Sequence, residues 1–206
     1  TFTGHPIAFD ANFIKNKYFV EKSLNDNYLK KIALLPGSRL GEIKKLMPIF
    51  IKTAHLLNKD YKSIKFYIVT SSEYKPIIMK YFKNSNLNYY ITDNHEERYN
   101  IYSKVNFVLC ASGTVSMEVA KASTAMLVVY KLNYITWFIV KALVKVKTAT
   151  IINILLKENI VPELFQNNVN ELNIYRIIKN YLNDSKLQIK QINKLQFAIG
   201  KLKNSN

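Results

Sequence analysis

The sequence predicts an α/β fold: a Rossmann-like parallel sheet with helices on both faces, followed by C-terminal helices. Three observations carry this. Short apolar runs alternate with stretches of helical period through most of the chain. The runs are apolar at successive positions, the pattern of strands covered on both faces. The 206 residues are 49% apolar and 13% aromatic, enough for a sizeable core and too apolar for a disordered chain.

Taken in order, "KIALL" precedes a helical pattern from Glu42 to Leu57, and "KFYIVT" precedes a helix entered near Pro76, since proline is tolerated in a first turn. "LNYYI" leads into "EERYNIYSK", "VNFVLC" into "TVSMEVAKA", and "AMLVVY" into "YITWFIVKALVKV". From about residue 170 the chain reads as polar helix, with Leu172, Tyr175, Ile178 and Leu182 at helical spacing and packing back over the domain. The expected organisation is a junction over 1–25, a nucleotide-binding Rossmann-like domain over 26–168 and C-terminal helices over 169–206. The sequence contains no internal repeat and no low-complexity linker.

Lys and Arg number 30 against 14 Asp and Glu, which points to an anionic partner without choosing among phosphate, acidic lipid and nucleic acid. Three of the basic residues are arginines: Arg39, Arg98 and Arg176. The single Cys110 excludes an internal disulfide and fits a reducing compartment. His55 and His95 stand singly in helical patterns, so no zinc site and no other metal site is expected.

Two strand ends carry small hydroxylic loops, "LLPGSRLGE" and "LCASGTVSMEVA". A loop at a helix start offers unpaired backbone N–H groups and the positive end of the helix dipole, which attract anions. Gly37 and Gly113 permit close backbone approach, Ser38, Ser112 and Thr114 can donate hydrogen bonds, and Arg39 adds a planar fork of donors. Glu118, one turn beyond Thr114, can accept from a ribose diol. The plain alternative for either loop alone is a turn with a helix cap. Two of them at strand ends of one sheet favour the anion site. Neither matches a Walker A loop or the G-x-G-x-x-G spacing.

Further motifs share this order along the chain: Gly4-His5-Pro6 with Asp10, "LLPGSR..EI" from Leu34 to Ile43, "ASGT...E" from Ala111 to Glu118, "VVYK" from Val128 to Lys131 and "VPELFQ" from Val161 to Gln166. Together they resemble the lipid-A-disaccharide synthase family, GT-B glycosyltransferases of Gram-negative bacteria, over residues 1 to about 170. The resemblance implies the C-terminal half of a GT-B enzyme. It implies transfer of 2,3-diacylglucosamine from a UDP-sugar donor to an acylated glucosamine phosphate acceptor, without a cofactor. Carried over by motif, Gly37, Ser38 and Arg39 face the diphosphate, Ser112, Gly113 and Thr114 support it, and Glu118 holds the ribose. Arg39 is the candidate catalytic group, stabilising charge on departing UDP. Asn153 falls where the family has Leu-Pro-Asn, with Ile152 in place of the proline. Glu163 and Gln166 match the family's "PE..Q" element, for which a polar helix start after Pro162 is an equal reading.

In this family the acceptor site and the proposed base belong to an amino-terminal domain, so that domain is expected to be missing here, with "GHPIAFD" at the junction. Asp10 is then a junction residue and not the base, and His5 packs at the hinge. The stretch from Tyr134 to Ile154 is interrupted by Lys141, Lys145 and Lys147, too short of uninterrupted apolar length to span a membrane. It reads either as a core helix with a solvated lysine face or as a basic amphipathic segment for an anionic membrane surface. With acylated substrates implied, the expectation is a cytoplasmic protein peripheral to the inner membrane. Apolar faces over 174–182 and 187–199, exposed without the first domain, predict self-association into a homo-oligomer. Two other classes stand alongside: a nucleotide- or RNA-binding module without chemistry, which lacks an RNP pattern or arginine-rich groove, and an inactive remnant of a split gene. No nucleic-acid partner is expected on the main reading.

Overall fold

The computed structural model describes residues 29–111, 113–131 and 148–203. Gly4, His5, Pro6, Asp10, Ser112 and the lysine-interrupted stretch over 132–147 lie outside them. In chain order the elements are β1 (Lys30–Leu35), α1 (Leu40–Asp60), β2 (Ile64–Val69), α2 (Lys75–Phe82), β3 (Tyr89–Thr92), α3 (His95–Lys104), β4 (Phe107–Ala111), α4 (Gly113–Lys121), β5 (Met126–Tyr130), α5 (Ile151–Leu156), β6 (Glu163–Phe165), α6 (Glu171–Asn183) and α7 (Ser185–Lys203). The strands form one six-stranded sheet in the order β3-β2-β1-β4-β5-β6. Every pairing is parallel. The order reverses direction between β1 and β4, which opens a crevice at their carboxyl ends.

The apolar runs work because alternate residues of each strand serve opposite faces. Ile32, Leu34, Phe107, Leu109, Leu127 and Val129 pack with α1, α2 and α6. Ala33, Leu35, Val108, Cys110, Met126 and Val128 pack with α3, α4, α5 and α7. The edge strand β3 departs from the expected two-sided burial: Tyr89 and Tyr90 are exposed, because no strand lies beyond them.

The C-terminal helices correct one expectation. On α6 the inward stripe is Ile174, Ile178, Tyr181 and Leu182, while Leu172 is 51% exposed. The helix begins at Glu171 with Asn170 as its cap, which rotates Leu172 outward. Part of the apolar surface expected to drive self-association lies in the chain's own core, Ile174 and Ile178 against one face of the sheet and Leu195 and Ile199 against the other, while Ile189 and Phe197 of α7 stay exposed. Two buried glutamines of α7 add polar anchors. Gln191 Oε1 accepts from the Met126 N–H at 2.7 Å, and its Nε2 donates to the Ile160 carbonyl at 3.0 Å. Gln188 donates to the Asn106 carbonyl. Each satisfies backbone groups at strand starts that would otherwise be buried without partners.

Candidate functional site

A cleft of about 600 Å³ opens at the carboxyl ends of β1, β2, β3 and β4, at the point where the strand order reverses. Its wall includes the Gly37-Ser38-Arg39 loop, the Thr70–Ser72 loop after β2, Asp93 and Asn94 after β3, and Arg98. Parallel sheets place ligands here because all strand-to-helix loops converge at one end.

The first loop is shaped by Gly37, whose φ is +103°, a conformation that L side chains rarely adopt. Arg39 is the extended cap residue of α1, and its carbonyl accepts from the Glu42 and Ile43 N–H groups. Its guanidinium is 81% exposed and reaches back to Glu42 at 3.3 Å. The Glu42 carboxylate also stands over Gly37, so that a Cβ there would collide with it. An acidic side chain therefore lies against both Gly37 and Arg39 of this loop. Sequence reasoning did not assign Glu42 a role, although "LLPGSR..EI" contains it.

Gly113 and Thr114 lie in the first turn of α4, whose N-terminus faces the same end of the sheet. Glu118, one turn on, is buried beneath the cleft and meets Arg98 of α3 at 3.3 Å. Arg98 is stacked over the Tyr99 ring at 4.7 Å and donates from Nη2 to the Tyr99 hydroxyl at 2.8 Å. Burial works to lower the Arg98 pKa, but the Tyr99 hydrogen bond and the Glu118 charge outweigh it and the shift is upward. In the sequence Arg98 stood out only as one of three arginines. The available signal was its rarity in a lysine-rich chain, in the helix after a strand.

Asn153, Glu163 and Gln166 gather at β6 rather than at the cleft. Asn153 is buried; its Oδ1 accepts from the Ile160 and Val161 N–H groups at 2.9 Å, and its Nδ2 donates to the Val161 carbonyl at 2.8 Å. Glu163 accepts from the Thr150 N–H at 2.8 Å, the Ala149 N–H at 3.0 Å and the Thr148 hydroxyl. In the described residues both side chains are spent on fastening the start of α5 to β6. Gln166 follows β6 at φ +49° and opens a short 3-10 turn at the strand's carboxyl end. Among the described residues no group of three or more His, Cys, Asp or Glu side chains gathers as metal ligands would.

The family model described as lipid-A-disaccharide synthetase matches residues 1–205. The chain belongs to that family. Lipid-A-disaccharide synthase 1 of Legionella pneumophila subsp. pneumophila (strain Philadelphia 1) is 34% identical over 204 residues, covering 97% of this chain and 53% of the relative. Lipid-A-disaccharide synthase of Rickettsia prowazekii (strain Madrid E) is 31% identical over 203 residues, with 98% and 53% covered. The chain thus spans about half the length of these curated relatives.

Solved structures share the fold at low identity. TarM of S. aureus, solved as a mutant with Fondaparinux, alpha-GlcNAc-glycerol and UDP, superposes with a TM-score of 0.61 at 17% identity, covering 92% of this chain and 35% of its own. MurG of Acinetobacter baumannii gives 0.58 at 13%, with 97% and 55% covered. The C-terminal domain of a group 1 glycosyl transferase (LpcC) of Francisella tularensis gives 0.58 at 13%, with 94% and 100% covered. The expected fold class, a Rossmann-like sheet of the kind found in the C-terminal half of GT-B glycosyltransferases, is borne out. The Pro-Gly-Ser-Arg and Ser-Gly-Thr motifs of this chain follow β1 and β4, the two strands that flank the crevice. Among the described residues no helix is long and apolar enough to cross a membrane.

Proposed function

We propose that this chain is the nucleotide-binding portion of a lipid-A-disaccharide synthase, holding the UDP of an acylated UDP-glucosamine donor in the cleft at β1 and β4. One observation carries the reading: the Gly37-Ser38-Arg39 loop and the start of α4 flank the reversal point of a parallel sheet, with an acidic side chain already seated on the first loop. Ser38 and Arg39, with Gly37 admitting close approach, take the diphosphate; Gly113, Thr114 and Ser112 take it from the other side. Arg39 displaces from Glu42 onto phosphate oxygens and stabilises the charge that develops as UDP leaves. Glu118 accepts from the ribose hydroxyls. The unit that does this is residues 26–168, with the helices over 169–206 packed on it.

The acceptor, an acylated glucosamine phosphate, and the base that deprotonates it belong on this reading to an amino-terminal half such as the twofold longer relatives have room for. Acylated substrates place the reaction at the cytoplasmic surface of the inner membrane, with the lysines of the 134–154 stretch toward acidic headgroups. Asn153 and Glu163 act as supports of that region, and Gln166 is the member of the three that stands at a strand's carboxyl end.

Arg39→Lys tests the reading by titration calorimetry with UDP. Lysine keeps the charge but loses the planar two-point grip, so binding is expected to weaken by about 1–3 kcal/mol, the range of a hydrogen bond to a charged group. Lys44→Ala, on the exposed side of α1, should bind as the parent does. Equal affinity of Arg39→Lys and parent, with loss in Lys44→Ala, would remove the phosphate site from this loop.

A further inference from the structure

The half-buried cation in the wall of the cleft is Arg98, and nothing in the family motifs assigns it a task. We propose that Arg98 is a positioning residue: it sets the orientation of the Glu118 carboxylate so that Glu118 accepts hydrogen bonds from the ribose hydroxyls of the nucleotide. This rests on the nucleotide-binding reading above.

The two side chains come from different helices, α3 and α4, and meet at Nη2 and Oε1, 3.3 Å apart. Their side chains are 21% and 12% exposed. A protonated carboxyl donates through its O–H, whereas a diol presenting two O–H groups needs an acceptor. Arg98 stands beside Glu118 as a fixed cation and sets the direction in which that carboxylate presents its oxygens.

Arg98 is itself held in place. Its guanidinium lies over the Tyr99 ring and donates to the Tyr99 hydroxyl, so the donor fork has a fixed plane before it reaches Glu118. The result is a relay of orientation from Tyr99 to Arg98 to Glu118, with half-buried Arg98 lining the cleft and the more buried Glu118 beside it. Stability alone does not account for the pair. A buried ion pair contributes little over two well-packed apolar side chains, so its placement at the cleft wall, where Arg98 lines the cavity, calls for a use of the charge.

The test compares UDP with 2′,3′-dideoxy-UDP by calorimetry on the 206-residue chain and its Arg98→Gln, Glu118→Gln and double variants. The parent is expected to prefer UDP about tenfold or more, since a buried acceptor left without its hydroxyl partners is costly. Arg98→Gln should lose that preference to within about twofold, as Glu118→Gln does, while the affinity for the dideoxy compound changes less than about threefold; the double variant should lose no more than either single one. Arg98→Lys, which keeps a charge and spares the fold if Arg98→Gln does not survive, should lose at least about threefold of the preference through the missing fork. Full retention of the ribose preference in Arg98→Gln, or in Arg98→Lys should Arg98→Gln fail to fold, overturns the proposal and leaves the pair a link between helices. A parent that binds both nucleotides alike overturns the ribose role of Glu118, and this inference with it, while the nucleotide site stands. A parent that binds neither removes the nucleotide reading itself.

Discussion

Gly37→Ala perturbs the candidate phosphate loop at its most constrained point, and its cost follows from two separate terms. The φ of +103° is open to glycine and strained for alanine, at about 1–3 kcal/mol. The new Cβ also runs into the Glu42 carboxylate, which must swing away. That movement gives up the exposed Arg39–Glu42 pair, worth roughly 0–1 kcal/mol, and an acidic group in the first turn of α1, worth about 0.3–1 kcal/mol. Together these predict a loss of about 2–4 kcal/mol, read as a fall of roughly 5–15 °C in the thermal midpoint for a domain of this size. Differential scanning calorimetry measures it. Adding Glu42→Ala gives up the same pair and the same first-turn charge, so in the Gly37→Ala background it should change stability by less than about 0.5 kcal/mol, because those terms are already lost and the backbone term remains. Gly41→Ala is the control: its Cβ meets nothing within 4 Å and it lies in α1, so alanine there should raise stability by about 0.5–1 kcal/mol. A Gly37→Ala midpoint within about 1 °C of the parent would refute both the strain and the crowding that define this loop.

Two further outcomes are expected. Gln191→Leu removes the side chain that satisfies the Met126 N–H and the Ile160 carbonyl inside the protein, and should cost about 1–3 kcal/mol in urea unfolding; a neutral result would mean water replaces the amide. Cys110, buried at the centre of the sheet and donating to the Leu127 carbonyl at 3.7 Å, has its thiol pKa pushed up by burial to about 12. At pH 8 its thiolate fraction is then about one in ten thousand, and a thiol reagent should label it only as the chain unfolds. Rapid labelling of the native protein would contradict that burial.

The loops and their order were legible because the signals are local. A glycine at positive φ, a hydroxyl and an arginine after an apolar run mark a strand-to-helix turn wherever the chain goes afterwards. Asn153 and Glu163 were legible as polar residues in the right motif, but not as residues whose hydrogen bonds are already taken by backbone groups of their own neighbourhood. That distinction depends on how α5 and β6 meet. Arg98 was missed for the same reason: its partner lies on the next helix, beyond the reach of any helical or strand period.

By itself the sequence determined the alternation of strands and helices, the two-faced burial of β1, β4 and β5, and the position of both glycine loops. Apolar period and backbone preference act over a few residues, so they survive reading one residue at a time. Tertiary structure alone decided that β1 and β4 stand side by side, that Arg98 closes on Glu118, that Glu42 lies over Gly37, and that α6 and α7 send Ile178 and Leu195 to opposite faces of the sheet. Those outcomes depend on which surfaces meet when the core is filled, a competition among all the elements at once that no single stretch contains.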